Sequence, residues 1–234
     1  MNVTGNMASG LHFSGVANIT GQSFGGLMAS GLLNVVGEHM NGLQIAGIAN
    51  ITASKLNGVQ VALCNYATKA RGLQIGLVNY YKEDMKGFQL GLVNANPDTK
   101  VQMMVYGGNA TPANIGVRFK NQLFYTILGV GSMYQGLNDK FSASASYRAG
   151  LSFPLYKGLS ISGDLGYQHI EAFDNKDEVI PKRLYALQAR ANLEYQFTKK
   201  FGIFATGGYG LTRFYNKSSN YDKGAIIEAG IVLF

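Results

Sequence analysis

The residues best placed to do chemistry in this 234-residue chain are grouped around one histidine. His169 is followed closely by Glu171 and Asp174 in the segment YQHIEAFDN. A histidine beside a carboxylate can activate a serine, and with a serine from a neighbouring strand this trio would suit a lipid-cleaving enzyme. Alternation of the surrounding residues places His169 and Glu171 on an outer face near a strand end, where polar residues are ordinary. We therefore expect no catalytic role for them.

Metal and cofactor chemistry has little support in the sequence. The chain lacks the HExxH, CxxC and P-loop motifs that hold zinc, a redox centre or nucleotide phosphates. Asp174, Asp177 and Glu178 could hold a cation, but lysines are interleaved with them and favour a solvated loop. Cys64 is the single cysteine, so there is no internal disulfide framework, and we expect it to pack as a small apolar residue. No catalytic, cofactor-binding or metal site is predicted.

Composition limits the class of protein and the partners. The net charge is +7, but Lys and Arg are scattered along the chain, so nucleic acid is not an expected partner. Charged residues make up 14% of the chain, against about 25% in an ordinary soluble domain. No apolar run approaches the roughly 20 residues of a transmembrane helix. Few charges, 31 glycines and 14 tyrosines together favour a β-barrel in a membrane.

From about residue 100 the sequence alternates with the period of a β-strand. In the segments 141–155 and 185–197, apolar and aromatic residues occupy the odd positions and mostly small or polar residues the even ones. Strands that are long enough to span a bilayer, aromatic residues near their ends and alternately short and long connectors are typical of a membrane barrel. Eight strands are predicted, at 100–106, 113–120, 122–134, 141–154, 158–172, 183–197, 201–214 and 224–234.

The even positions of these strands would face the lumen. The interior of an eight-stranded barrel is just wide enough to be filled by side chains, and buried charges must be paired. We therefore predict a closed ion-pair network that conducts nothing, formed by Arg118, Arg148, Asp164, Arg190, Glu194 and Glu228.

In its alternating strands and polar lumen positions, the chain from about 100 to 234 resembles the bacterial outer-membrane β-barrel proteins. The resemblance includes the last strand, GAIIEAGIVLF, which ends at Phe234. It implies a place in the outer membrane of a Gram-negative cell envelope, in contact with outer-membrane lipid. It also implies that Phe234 is the assembly signal read by the barrel assembly machinery. We predict that the barrel domain covers residues 99–234.

The first half of the chain repeats one motif, and we predict a β-repeat module over residues 1–98. Copies such as GLQIGLVN recur every 14 to 16 residues, beginning at Gly10, Gly26, Gly42, Gly58, Gly72 and Gly87. The opening NVTG matches the NITG that starts at Asn18, so we expect earlier copies in the natural chain. The units resemble a bacterial surface-repeat family, which implies an envelope location.

Two architectures fit the repeats. In a parallel solenoid each copy is one coil, and identical amides stack into ladders. In an up-and-down arrangement each copy adds an antiparallel strand to the barrel. The nearly equal connectors favour the solenoid, with exposed ladders formed by Gln44, Gln60, Gln74, Gln89, Asn50, Asn65, Asn79 and Asn94.

These features predict a non-enzymatic outer-membrane protein with no cofactor. It would be a structural or accessory subunit that presents its repeat surface to a partner membrane protein, a lipoprotein or a glycan. The position at which the chain enters the barrel would place the repeats in the periplasm. One alternative is a passive pore or transporter, in which repeat strands enlarge the barrel to about 14 strands. Another is an envelope lipid-modifying enzyme that uses His169.

Overall fold

The computed structural model describes residues 1–132, 134, 137, 141–173, 183–215 and 220–234. These residues form β-strands that fall into two compact units, Met1–Thr99 and Lys100–Phe234. No helix among them is both long and apolar enough to cross a lipid bilayer.

The first unit is a parallel β-solenoid. Each copy of the repeat supplies two strand positions, and each pairs in parallel with the same position of the next copy. None of these strands pairs with the barrel, so the alternative in which the repeats enlarge the barrel wall is wrong. The strands are β1 (Asn2–Thr4), β2 (Ala8–Ser14), β3 (Ala17–Thr20), β4 (Phe24–Ser30), β5 (Leu33–Val36), β6 (His39–Ala46), β7 (Ala49–Val61), β8 (Cys64–Ile75), β9 (Val78–Leu90) and β10 (Val93–Ala95).

The glycine that opens each motif is required by the stacking of the coils. From Gly26 to Gly87 these glycines have φ between +128° and +147°, a backbone conformation that residues with a Cβ rarely adopt. A Cβ added at Gly42 would also collide with the carbonyl oxygen of Gly26, and the same holds for each later glycine of the column. The repeat therefore keeps glycine at this position in every copy.

An apolar cluster fills one part of the solenoid interior. It combines large side chains from the first coils with small ones from later coils, so that successive coils contribute to one continuous core. Its buried members are Phe24, Met28, Val36, Met40, Leu56, Ala67 and Ala70.

The second unit is a closed antiparallel barrel of eight strands, which confirms the predicted fold class. Each strand pairs with the next, and the last pairs with the first. The last strand begins at Asn220 rather than at 224, because backbone pairing with Arg213 extends past the point where apolar alternation stops. The strands are β11 (Lys100–Gly108), β12 (Ala113–Asn121), β13 (Phe124–Ser132), β14 (Ser142–Tyr156), β15 (Leu159–Ala172), β16 (Arg183–Gln196), β17 (Phe201–Phe214) and β18 (Asn220–Leu233).

The two faces of the barrel are opposite in character. Large apolar side chains are exposed on its outside, among them Val105, Ile115, Val130, Leu151, Leu165, Leu187, Ile203 and Ile227. Polar and charged side chains are buried inside, together with one apolar cluster toward each end of the lumen. A soluble protein would bury the apolar face, whereas a barrel with a lipid-facing apolar band spans a membrane.

Three short hairpins turn at one end of the barrel, and the connector between β11 and β12, residues 109–112, is the one short connector at the other end. The hairpins β12–β13, β14–β15 and β16–β17 turn at the first end within a few residues. Lys100 pairs with Lys120 and Leu233 with Phe201, so the first strand begins and the last strand ends at this same end. Phe234 packs against the lumen cluster that contains Met104.

Candidate functional site

Three arginine–carboxylate pairs cross the barrel lumen. Arg118 holds Glu194 with two hydrogen bonds, Nη1 to Oε2 at 2.6 Å and Nη2 to Oε1 at 3.0 Å. Arg148 holds Asp164 with two bonds of 2.8 Å. Such two-point pairs fix both partners in position and are stronger than neutral hydrogen bonds.

The third pair joins the second into a single network. Arg190 donates two bonds of 3.1 Å to Glu228, and the same carboxylate lies 3.6 Å from Nη1 of Arg148. The six residues predicted for the lumen are thus all buried, and the structure brings them together as three arginines and three carboxylates. Their formal charges cancel within the described lumen.

Neutral side chains that the sequence analysis did not assign complete the network. Tyr125 donates to Asp164 Oδ2 at 2.8 Å, and Asn192 Nδ2 donates to the same oxygen at 2.8 Å. Gln102 accepts a 2.6 Å bond from Arg118 Nε. All three lie on the lumen side of their strands. Alternation could have found Gln102 and Asn192, which occupy even positions. It would have missed Tyr125, because the pairing of Lys120 with Tyr125 puts the odd positions of β13 in the lumen.

This network seals the middle of the barrel. The cavity between Arg118, Arg148 and Asn192 measures about 10 Å³, which is at the lower limit for holding one water molecule. Nearer the long-connector end, the Tyr134 hydroxyl lies 2.6 Å from Thr212 Oγ1, and burial raises the pKa of the Tyr134 phenol above its ordinary value. The described lumen therefore contains no open channel at the level of the ion pairs.

Strand number, turn length and surface character together fix the class of barrel. An even number of antiparallel strands, short turns at one end and an apolar exterior around a polar interior characterise bacterial outer-membrane barrels. The chain is a transmembrane β-barrel protein of the bacterial outer membrane.

Solved structures similar to this chain include the following two. The N-terminal β-barrel domain of Pseudomonas aeruginosa OprF is 15% identical, with a TM-score of 0.40, over 57% of this chain and 93% of that chain. Neisserial surface protein A (NspA) is 9% identical, with a TM-score of 0.36, over 57% of this chain and 92% of that chain. The chain matches no protein-family model and no curated protein. The likeness of the repeats to a surface-repeat family stays a prediction.

His169 lies on the outer face of the barrel within a polar and aromatic cluster. Its Nδ1 is 2.7 Å from the Tyr215 hydroxyl and its Nε2 is 3.3 Å from Glu171 Oε2, while Glu171 also binds Arg183 at 3.0 Å. Across the neighbouring strand its partner is Ala145, and Ser144 and Ser146 on either side of that alanine are on the lumen side. Among the described residues no serine faces His169 from the neighbouring strand. Asp174, Asp177 and Glu178 lie outside the described residues.

Two amide ladders run through the solenoid. In one, the asparagines Asn2, Asn18, Asn34, Asn50, Asn65, Asn79 and Asn94 stack, and each Nδ2 donates to the Oδ1 of the next coil at 2.8–3.1 Å. In the other, each glutamine Nε2 from Gln60 to Gln89 donates to the Oε1 of the preceding coil at 2.8–2.9 Å. The two ladders therefore have opposite donor directions.

Both ladders lie inside the solenoid, so the prediction that they are exposed is wrong. Gln44, Gln60, Asn50 and Asn79 are all fully buried. In the segment GLQIGLVN the flanking leucine and isoleucine point outward and the glutamine points inward, which reverses the usual pattern of a solvated strand. Buried amides are stable there because each one finds its partner in the adjacent coil.

The solenoid instead exposes three columns of apolar side chains, stacked from coil to coil, which together are called the apolar face. None of its eighteen side chains is buried. The columns are Leu11, Leu27, Leu43, Val59, Leu73 and Phe88; Phe13, Ala29, Ile45, Val61, Ile75 and Leu90; and Val16, Leu32, Ile48, Leu63, Leu77 and Leu92.

Cys64 is exposed rather than packed, because its column, which pairs Ala49 with Cys64 and Val78, turns outward. In the described part of the chain no group of three or more His, Cys, Asp or Glu side chains is placed to hold a metal ion.

Proposed function

We propose that this protein is a non-enzymatic structural or accessory subunit of the outer membrane. In this proposal the barrel anchors the chain in the bilayer, and the repeat module presents the apolar face to a partner membrane protein or lipoprotein. The apolar face is the observation that carries the proposal. Connection of the module to the short-turn end of the barrel supports a periplasmic location for it.

The apolar face has the character of a protein-binding surface. A soluble monomer rarely exposes contiguous apolar patches, and large ones mark interaction sites. Aliphatic side chains such as Leu63, Leu77 and Leu90 offer no hydrogen bonds, whereas sugar hydroxyls need donors and acceptors. The amides that could have served a glycan are buried in the ladders. We therefore favour a partner protein over a glycan.

Site-specific cross-linking in cells tests this proposal. A photoreactive amino acid in place of Leu77 should give one discrete protein adduct, and in place of Glu83, which lies outside the three columns, it should give none. Ile48→Asp combined with Leu63→Asp should abolish the adduct, since both side chains are exposed and the charges should leave the fold intact. An adduct that contains sugar and no protein, or no adduct at all, would contradict the proposal.

Planar-bilayer recording tests the role of the barrel as an anchor. Because the lumen is closed by three ion pairs, the purified protein should produce no stepwise current. A stable unitary conductance would contradict the role of the barrel as a closed anchor.

A further inference from the structure

The lumen of the barrel widens into a cavity at its short-turn end. The cavity measures about 470 Å³, which is within the range of about 300–1,000 Å³ of ligand pockets. Every described residue that lines it belongs to the barrel unit. Gln102 and Glu194 form its floor, and both accept hydrogen bonds from Arg118. The ion-pair network therefore closes the cavity toward the middle of the barrel.

Two lysines lie side by side on the wall of this cavity. Lys100 and Lys120 are directly opposite in the register of β11 and β12, where the Cβ atoms of a pair are about 4.5–5.5 Å apart. They share the alternation of Gln102 and Arg118, so they are on the lumen side. Lysines that anchor a barrel among lipid headgroups would point outward. Like charges placed directly opposite destabilise a sheet, so this pair needs a reason outside the fold.

No carboxylate of the described chain lies within ion-pairing distance of these lysines. Lys120 is half-buried, and its Nζ donates to the neutral hydroxyl of Ser152 at 2.8 Å. Glu194 is the one carboxylate side chain in the described lining, and both terminal nitrogens of Arg118 already hold it. A partly buried ammonium group without a counterion is unfavourable. The cavity therefore has an excess of positive charge.

The β14–β15 hairpin adds a third lysine and an apolar wall to the cavity. Lys157 lies on the turn, and its Nζ is 5.3 Å from the centroid of the Tyr156 ring. Leu155, Leu159 and Phe234 line the same cavity. A ligand that fits both features has a multiply charged anionic group and an apolar part.

We propose that this cavity binds a phosphate monoester, with Lys100, Lys120 and Lys157 as the residues that contact the phosphate. A lysine ammonium group is a compact point charge that suits phosphate. A phosphate monoester carries about −1.5 to −2 charges at pH 7 and three acceptor oxygens, so one group can bind several lysines. The apolar wall contacts the organic part of the ester. A soluble phosphate ester and a lipid with a terminal phosphate share this chemistry. The site is distinct from the apolar face, so the inference goes beyond the proposed function.

Isothermal titration calorimetry of the full-length protein in an uncharged maltoside detergent tests the site. Phenyl phosphate is the probe for a soluble ester and dihexanoyl phosphatidic acid the probe for a lipid. At least one should bind saturably at one site per chain, and the tighter probe identifies the source. Benzoate, which carries a single charge, should bind at least about tenfold more weakly than the tighter phosphate, since it makes fewer charge-assisted hydrogen bonds. Equal binding of benzoate, or no binding of either phosphate, would overturn the proposal.

Matched lysine variants locate the binding. Lys100→Gln with Lys120→Gln removes both charges, keeps a donor for Ser152, and should weaken the tighter probe at least about tenfold. Lys199→Gln with Lys200→Gln removes two charges from the exposed β16–β17 turn, which lies at the same end but outside the described lining. This control should bind the probe like the wild type. Equal weakening in the two variants would mean unspecific attraction to a basic end and would overturn the proposal.

A single replacement separates a binding role from a structural one, and it serves if the double variant fails to fold. Lys100 is exposed and makes no hydrogen bond or ion pair with the described residues. Lys100→Gln relieves the repulsion of Lys120, so the thermal unfolding midpoint of the free protein should rise while its affinity for the probe falls. A lower midpoint together with lower affinity would indicate a structural lysine, and unchanged affinity would exclude it from the site; either result would overturn the proposal.

Discussion

The solenoid and the barrel both bury polar side chains, but they bury different ones. The solenoid interior holds uncharged amides in repeated columns, and the barrel lumen holds three arginine–carboxylate pairs. Strand direction explains the difference. Parallel stacking in register places identical residues side by side, so a buried column of charges would repel itself, whereas an amide both donates and accepts. Antiparallel closure brings different residues together, and opposite charges can pair.

Arg148→Ala should produce the largest loss of stability and tests the charged half of this contrast. It leaves Asp164 buried without its cation, and breaking a buried pair in this way costs about 3–5 kcal/mol. The measurement is urea unfolding of the refolded protein in lipid vesicles. The double replacement Arg148→Leu with Asp164→Leu removes both charges and should cost much less. Equal losses in the two variants would show that packing, and not charge pairing, holds the lumen together.

Asn50→Asp tests whether the solenoid interior requires uncharged amides, because it places a carboxyl group in the asparagine ladder. Asn50 Nδ2 donates one hydrogen bond to Val61 O at 2.9 Å and one to Asn65 Oδ1 at 3.1 Å. Asp at this position would lose both bonds, at a cost of about 2–3 kcal/mol. Burial against acceptors raises the pKa of the new carboxyl, so stability should return as the pH falls and the group can donate. Asn41→Asp, on an exposed amide pair, should change stability by less than about 0.5 kcal/mol. A similar loss at both positions would contradict the ladder argument.

Gly42→Ala tests how much stability depends on the close backbone contact between stacked coils. Its Cβ would collide with the Gly26 carbonyl, and we expect a loss of about 1–3 kcal/mol. Gly10→Ala imposes a similar backbone strain, with φ of +101°, but meets no neighbouring atom, so it should cost less. If thermal unfolding gives the same loss for both, backbone conformation alone explains the glycine column.

His169→Ala should change the stability of the protein least among these variants. The His169–Glu171 contact lies on the outer face and is partly exposed, and such pairs contribute little to stability. We expect a change within about 0.5 kcal/mol and unchanged lipid products by mass spectrometry of the outer membrane. Altered acyl chains or headgroups would return the lipid-enzyme alternative.

The barrel was easier to predict from the sequence than the solenoid interior. Alternation fixes the face of each strand residue, so Arg148, Asp164 and Glu228 could be placed in the lumen once the barrel was assumed. For the repeats, spacing predicts the stacking of Gln74 on Gln60 but not the direction in which the column points. The usual rule of apolar inside and polar outside gives the wrong answer there, because amides stacked in parallel coils satisfy one another without water.

The opposed donor directions of the asparagine and glutamine ladders bear on how long the solenoid can be. If both ladders ran the same way, their amide dipoles would sum along the axis and the electrostatic penalty would grow with every added unit. Running in opposite directions, they oppose each other over the coils that carry both amides, from Gln44 to Gln89. Gene duplication or loss of a unit would then leave the energetics per unit nearly constant, and the number of units is free to vary in evolution.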